Sequence, residues 1–306
     1  MTTTLAPREL LFLSNDAIRA RHRPYAIGLL WAWQTALGIV AVWPLVAAVN
    51  AAYGSHPKGD APLFSPGALP LLDLLVHSRR LVSPLVVHAG LVVAVAVALG
   101  LVPTAAVLAS LMLTTRRLKP PPLFELLVRA LVAFQPMALV LLVTTLLEVS
   151  LVFAGVLLGG WVETHFYVRW GEARAEQAGW AAAAMVFLLA LVAGVVEDVA
   201  RAGIVRFRVR ALPALILALR TFGSAPFSLS WSWAWRALAS LVPVAFGSLV
   251  AERIGGRGGV ALVWLAVVHQ TIILSRTALR VSWLARAMRA VDAHGTRSPQ
   301  RVESPR

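Results

Sequence analysis

An all-α, polytopic transmembrane helical bundle of about six spans is the fold class this sequence predicts, and three observations carry it. Of 306 residues, 59% are hydrophobic and 14% charged. The apolar residues fall in long uninterrupted runs, and Lys and Arg crowd into alternate connections between those runs. Soluble domains carry roughly 45–50% apolar and about 25% charged residues, because a globule in water needs a polar skin. This chain is too poor in polar residues to make one.

A hydrocarbon layer about 30 Å thick is crossed by roughly 20 helical residues. Six runs meet that demand, beginning with Tyr25–Asn50, Leu85–Leu113 and Leu131–Gly160. Ala178–Val196, Trp231–Val250 and Val260–Leu274 follow, the last continuing as a basic helix through Met288. The fifth contains Arg236, and the sixth is short before Arg276. Strands of a membrane barrel would alternate apolar and polar residues over about ten positions; these runs are apolar on every face. The stretch before Tyr25 is long and charged, which predicts an uncleaved anchor rather than a signal peptide.

Counting Lys and Arg on alternate sides of the six spans puts 21 on one side and 7 on the other. By the positive-inside rule the richer side is cytoplasmic. Both termini are then expected in the cytoplasm of a bacterial inner membrane. The connections Ala51–Pro84, Trp161–Gln177 and Ala251–Gly259 would face outward. The chain reads as a single transmembrane domain over 1–293, with a Ser-, Pro- and Arg-rich tail over 294–306 that has the composition of a disordered cytoplasmic segment. The net charge of +14 points to anionic headgroups at the cytoplasmic Arg clusters rather than to nucleic acid.

Short amphipathic segments precede spans 1, 3 and 5 and lead into them through a proline: Arg8–Arg21 through Pro24, Leu123–Ala133 through Pro136, Ala211–Phe222 through Pro226. Each is expected to be an interfacial helix. Trp31-Ala32-Trp33 and Trp233-Ala234-Trp235 stand at the same distance after Pro24 and Pro226. This fits an internal repeat; it also fits the ordinary preferences for Pro at helix starts and Trp at interfaces.

Ionisable groups inside hydrocarbon cost roughly 2.5–3.5 kcal/mol on insertion scales, so they are the best functional pointers. Glu148 lies past the midpoint of the third run, while His269 and Gln270 lie in the sixth and His88 near the outer start of the second. Together they form a candidate intramembrane polar site for a proton, a cation or a substrate amine. The plainer reading is interhelical hydrogen bonding that holds the bundle together. Glu197, Asp198 and Arg201 close the fourth run on one helix face. They are a candidate cytoplasmic gate or docking site for a cytoplasmic protein partner; the plainer reading is a helix-end ion pair. Gly155 and Gly159 form a Gly-x-x-x-Gly pair in the third run, which permits close helix approach.

The stretch Asp198-Val199-Ala200-Arg201 resembles uncharacterised bacterial six-helix inner-membrane families with Asp-x-Ala-Arg at a span end. The resemblance covers this stretch and the general layout, and implies no activity. A CDP-alcohol phosphotransferase is rejected: no Gly follows Asp198, and no Asp lies between Asp198 and Asp292 to help hold a metal.

Cysteine is absent, which removes thiolate metal sites, disulfides and cysteine catalysis. Phosphate-loop, zincin and serine-elbow motifs are missing too. No cofactor is therefore expected, and enzymatic activity is left open. The first function class is a transporter or permease subunit and the second a non-catalytic membrane scaffold or assembly factor. An integral-membrane enzyme acting on lipid comes third, since it would need acids or His clustered at one bilayer depth, and the sequence assembles no such cluster.

Overall fold

The computed structural model describes residues 23–53, 79–112, 122–254 and 260–295, together with residue 20. The described residues form helices joined by short links, and none lies in a strand. In chain order the helices are α1 (Pro24–Tyr53), α2 (Arg79–Leu111), α3 (Leu123–Trp170), α4 (Glu172–Phe207), α5 (Ala211–Ser224), α6 (Pro226–Ala239), α7 (Leu241–Ile254) and α8 (Val260–Gly295). Helix is the expected answer to these apolar runs, since it satisfies every interior backbone donor and acceptor without water.

Five stretches are long and apolar enough to cross a membrane: Pro24–Pro44, Gly90–Leu111, Leu123–Trp170, Glu172–Phe207 and Pro226–Ile254. They fall on the first five expected runs. The sixth run forms the front of α8 but is not among the five. The fifth forms two helices, α6 and α7: Pro243 has no N–H to offer the Ala239 carbonyl, and the Ser240 N–H just before it is shared between the Arg236 and Ala237 carbonyls.

Two expectations about connections meet a different structure. The segment Trp161–Gln177, read as an outward loop, is helical almost throughout: α3 runs to Trp170 and α4 starts at Glu172. Gly171 alone reverses the chain, at φ +73° and ψ 167°. Only glycine occupies that region without strain. Residues 161–170 contain neither Gly nor Pro, so nothing stops the helix where the charges begin. Second, Leu123–Ala133 is not a separate interfacial helix; it forms the first turns of α3, which continues through Pro136. By contrast Ala211–Phe222 is a discrete helix as expected, α5, and Pro226 opens the next one. Pro24 likewise opens α1, so the first and third copies of the sequence pattern share a helix start that the second lacks. The Arg8–Arg21 segment, like most of the tail 294–306 and parts of the outer connections, lies outside the described residues.

The chain sorts into two compact units. One comprises the described residues of Leu108–Ala234 and those from Trp283 onward; the other comprises those of Ala20–Val107 and Trp235–Ser282.

In the first unit α3 and α4 form an antiparallel hairpin with a small-residue seam. A Cβ built on Gly179 would lie 2.7 Å from the Gly159 carbonyl oxygen, and one on Gly155 would lie 2.9 Å from the Phe187 ring. Glycine at these positions lets the two backbones touch. Next to the seam, α4 is buried on all sides from Val195 to Val205 apart from Arg201. It shares a core with Met137 and Val140 of α3, Ala214 and Ala218 of α5, and Leu284 and Met288 of α8.

In the second unit α1 and the front of α8 are joined by side-chain amides. Gln270 Oε1 accepts from Trp31 Nε1 at 3.1 Å and from Thr35 Oγ1 at 3.2 Å, and Thr277 Oγ1 donates to Gln34 Oε1 at 2.6 Å. Arg236 stacks on Trp235 at 4.6 Å and donates to Ser282 Oγ at 3.2 Å. Both contacts stabilise the Arg236 guanidinium.

Candidate functional site

The hairpin register locates the acidic residues. Gly159 meets Gly179, Gly155 meets Phe187, and Glu148 meets Gly194, whose Cβ position is 3.3 Å from Glu148 Oε1. Thr144 comes last, opposite Glu197, with its hydroxyl in hydrogen-bond reach of that carboxylate. Residue numbers fall on α3 as they rise on α4, so depth along one helix can be read from the other to within about a turn.

Between Arg129 and Glu163 on α3 the only ionisable residue is Glu148. Between Glu176 and Arg206 on α4 the only ones are Glu197, Asp198 and Arg201. Trp161 and Trp180, 59% and 67% exposed, stand at one level near the tip, where an aromatic belt marks the edge of hydrocarbon. At 1.5 Å per residue, Glu148 lies about 20 Å from Trp161 and about 28 Å from Arg129. Glu197 lies about 26 Å from Trp180 and about 14 Å from Arg206 by the same rise. The acids of both helices therefore sit inside the apolar stretch. The expected end of the fourth span at Val196 is not where the helix ends; α4 runs on to Phe207.

Glu197 and Asp198 are 7% and 3% exposed. Arg201, one turn on, pairs with Glu197 and with Asp198 Oδ1 at 3.4 Å. Trp283 of α8 donates its indole N–H to Asp198 Oδ2 at 2.8 Å. Glu148 is only partly buried and lies within electrostatic range of both Arg201 and Asp198. One guanidinium thus faces three carboxylates. Fully ionised, these four side chains sum to a charge of −2, so gathering them in a low-dielectric setting is costly.

A second clamp lies two turns further along the same helices. Arg206 Nε donates to Asp292, both side chains being largely buried. Asp198 with Trp283 and Arg206 with Asp292 keep nearly the same offset, so this part of α8 runs parallel to α4. Burial outweighs the Arg206 guanidinium and holds the Asp292 carboxyl above the usual carboxylate range. Replacing Trp283 with Phe keeps the ring and deletes the donor to Asp198. The expected loss is about 1.5–3 kcal/mol, the range for hydrogen bonds to charged groups, seen as a lower unfolding temperature in detergent. An unchanged midpoint would show that this hydrogen bond contributes nothing.

Sequence reasoning placed Glu148 in one candidate site and Glu197, Asp198 and Arg201 in another; the hairpin brings all four into one cluster. His88, His269 and Gln270 belong to the other compact unit. There Gln270 is engaged by α1, His269 is exposed, and His88 Nε2 is buried without a hydrogen-bond partner among the described residues. Trp283, Arg206 and Asp292 were not singled out from sequence. Their partners lie more than eighty positions away, and no local pattern signals such pairs. Among the described residues no three His, Asp or Glu side chains converge as metal ligands.

No protein-family model matches the chain, and neither the curated proteins nor the solved structures contain a match to it. Its class, a helical protein with apolar helices fit to cross a membrane, therefore rests on the chain's own physical chemistry.

Proposed function

We propose that this integral membrane protein is a transporter or permease subunit, and that Glu148 with Glu197, Asp198 and Arg201 takes up and hands on a proton or a cationic group. The observation that carries the reading is the gathering of three carboxylates about Arg201, one of them the partly exposed Glu148, well inside the apolar stretch of the α3–α4 hairpin. Carboxylates gathered inside an apolar stretch, one of them partly exposed, form a place where a proton or a cationic group can be taken up. In this reading the front of α8 is a sixth span. The skewed count of Lys and Arg supports cytoplasmic termini and a bacterial inner membrane.

One observation favours the scaffold reading instead. Glu197 and Asp198 are already engaged, by Arg201 and Trp283, in the manner of a fixed strut. Glu148, partly exposed beside Gly194, separates the two. The chain has no cysteine, so single-cysteine variants can be made directly. Glu148→Cys is expected to react with a small water-soluble thiol reagent in membranes, whereas Leu146→Cys and Val149→Cys, exposed on the apolar outside of α3, stay inert. Equal inertness at all three positions would remove the transporter reading. Ion or proton movement by the purified protein alone in liposomes, lost in Glu148→Gln, would remove the scaffold reading.

A further inference from the structure

We infer that α5 and the arginines beside it form a binding surface for anionic phospholipid, independently of what the acidic cluster does. The packing of α5 is inverted relative to an amphipathic helix in water. The face it turns to the bundle is made of small residues, Ala214, Ala218 and Thr221, all buried. Leu217 flanks that face and reaches α4, where its methyl lies 3.4 Å from the Cβ position of Gly203. The face turned away carries Leu212, Ile216 and Leu219, exposed at helical spacing. A helix that buries alanine and exposes leucine and isoleucine meets an apolar medium on its outer side.

That medium is not the middle of a bilayer. Arg208 and Arg210 lie in the link that leads into α5, and Arg220 follows Leu219; all three are exposed. Arg208 adopts the left-handed conformation, φ 52° and ψ 38°, which turns the chain sharply between α4 and α5. No Asp or Glu occurs between Arg206 and Glu252, so this segment is itself uniformly basic; Glu125 at the start of α3 is paired with Arg129. An exposed apolar stripe bordered by guanidinium groups complements an acyl chain and its phosphate head together. Arginine matches a phosphate through paired N–H donors. Arg206, the nearest other basic residue in sequence, is held by Asp292 and is not counted in the surface.

The test uses the full-length protein purified in detergent and observed by native mass spectrometry with phosphatidylglycerol or phosphatidylcholine at equal concentration. Wild-type protein is expected to retain phosphatidylglycerol preferentially. Each arginine near an anionic surface is worth roughly a factor of five in affinity, so Arg208→Gln/Arg210→Gln/Arg220→Gln is expected to lose that preference by about a hundredfold. Arg220→Gln alone, a mild change at an exposed position, is expected to lose about fivefold. Leu212→Ser/Ile216→Ser/Leu219→Ser is expected to weaken binding of both lipids. The proposal is overturned if the triple arginine variant keeps the wild-type preference. It is overturned equally if the serine variant binds both lipids as before, or if millimolar inorganic phosphate displaces phosphatidylglycerol, since the surface would then be a small-anion site.

Discussion

Replacing Arg201 with leucine is expected to lower stability by roughly 3–5 kcal/mol, the cost of leaving buried charge without its partner. The side chains concerned are well removed from solvent: 11% exposed for Arg201, 9% for Glu197 and 4% for Asp198. Water can do little to screen the carboxylates once the guanidinium is gone. The loss should appear as a sharply lower unfolding temperature in detergent, or as aggregation on solubilisation. Neutralising the acids as well, in Arg201→Leu/Glu197→Gln/Asp198→Asn, should recover most of that loss, because replacing a whole buried ion cluster by uncharged groups of similar volume is often neutral. Recovery would identify uncompensated charge, rather than lost packing, as the cause. A single variant that melts with the wild type would mean that water reaches the cluster freely, contrary to the burial on which the proposed site depends.

The helical, membrane-type architecture was legible because each crossing stretch announces itself in composition alone, without reference to any other part of the chain. The position of the acidic cluster was not. Counting inward from the first charged residue ends the fourth run at Val196 and leaves Glu197 outside the apolar layer. Only the register with α3, fixed by Gly159 against Gly179 and Gly155 against Phe187, shows that apolar structure continues beyond it to Arg206. Half of this register was visible: Gly155 and Gly159 stand out as a pair suited to close packing. Their partner Gly179 sits among alanines and carries no mark of its own. Gly171 is a similar case. A lone glycine in a charged segment reads as part of a loop, and its role as a one-residue reversal depends on a positive φ that composition cannot encode.

Gly179→Ala and Gly247→Ala, in α4 and α7, separate a glycine backed by another helix's backbone from one backed by a flexible side chain. At Gly179 a Cβ would lie 2.7 Å from the Gly159 carbonyl oxygen. That atom belongs to the backbone of α3, so it can yield only if the helices move apart, which loosens the contact of Gly155 with Phe187 and the reach of Glu148 past Gly194. Overpacking of this sort costs about 1–3 kcal/mol, well above the gain of roughly 0.8–1 kcal/mol from alanine's better helix propensity in the least crowded case. Leucine at the same position should prevent the hairpin from closing. At Gly247 the added Cβ meets the Ile272 Cδ1 methyl at a nominal 2.0 Å, a shorter distance that matters less. The methyl is the free end of a side chain and can swing to another rotamer at a cost of about 0.5–1.5 kcal/mol if it must leave its minimum. The expected order of unfolding temperatures in detergent is wild type close to Gly247→Ala, then Gly179→Ala, then Gly179→Leu. The reverse order for the two alanine variants would show that α3 and α4 do not touch backbone to backbone. The depth assigned to Glu148 and Glu197 would fall with that contact, because the seam is the ruler by which both were placed.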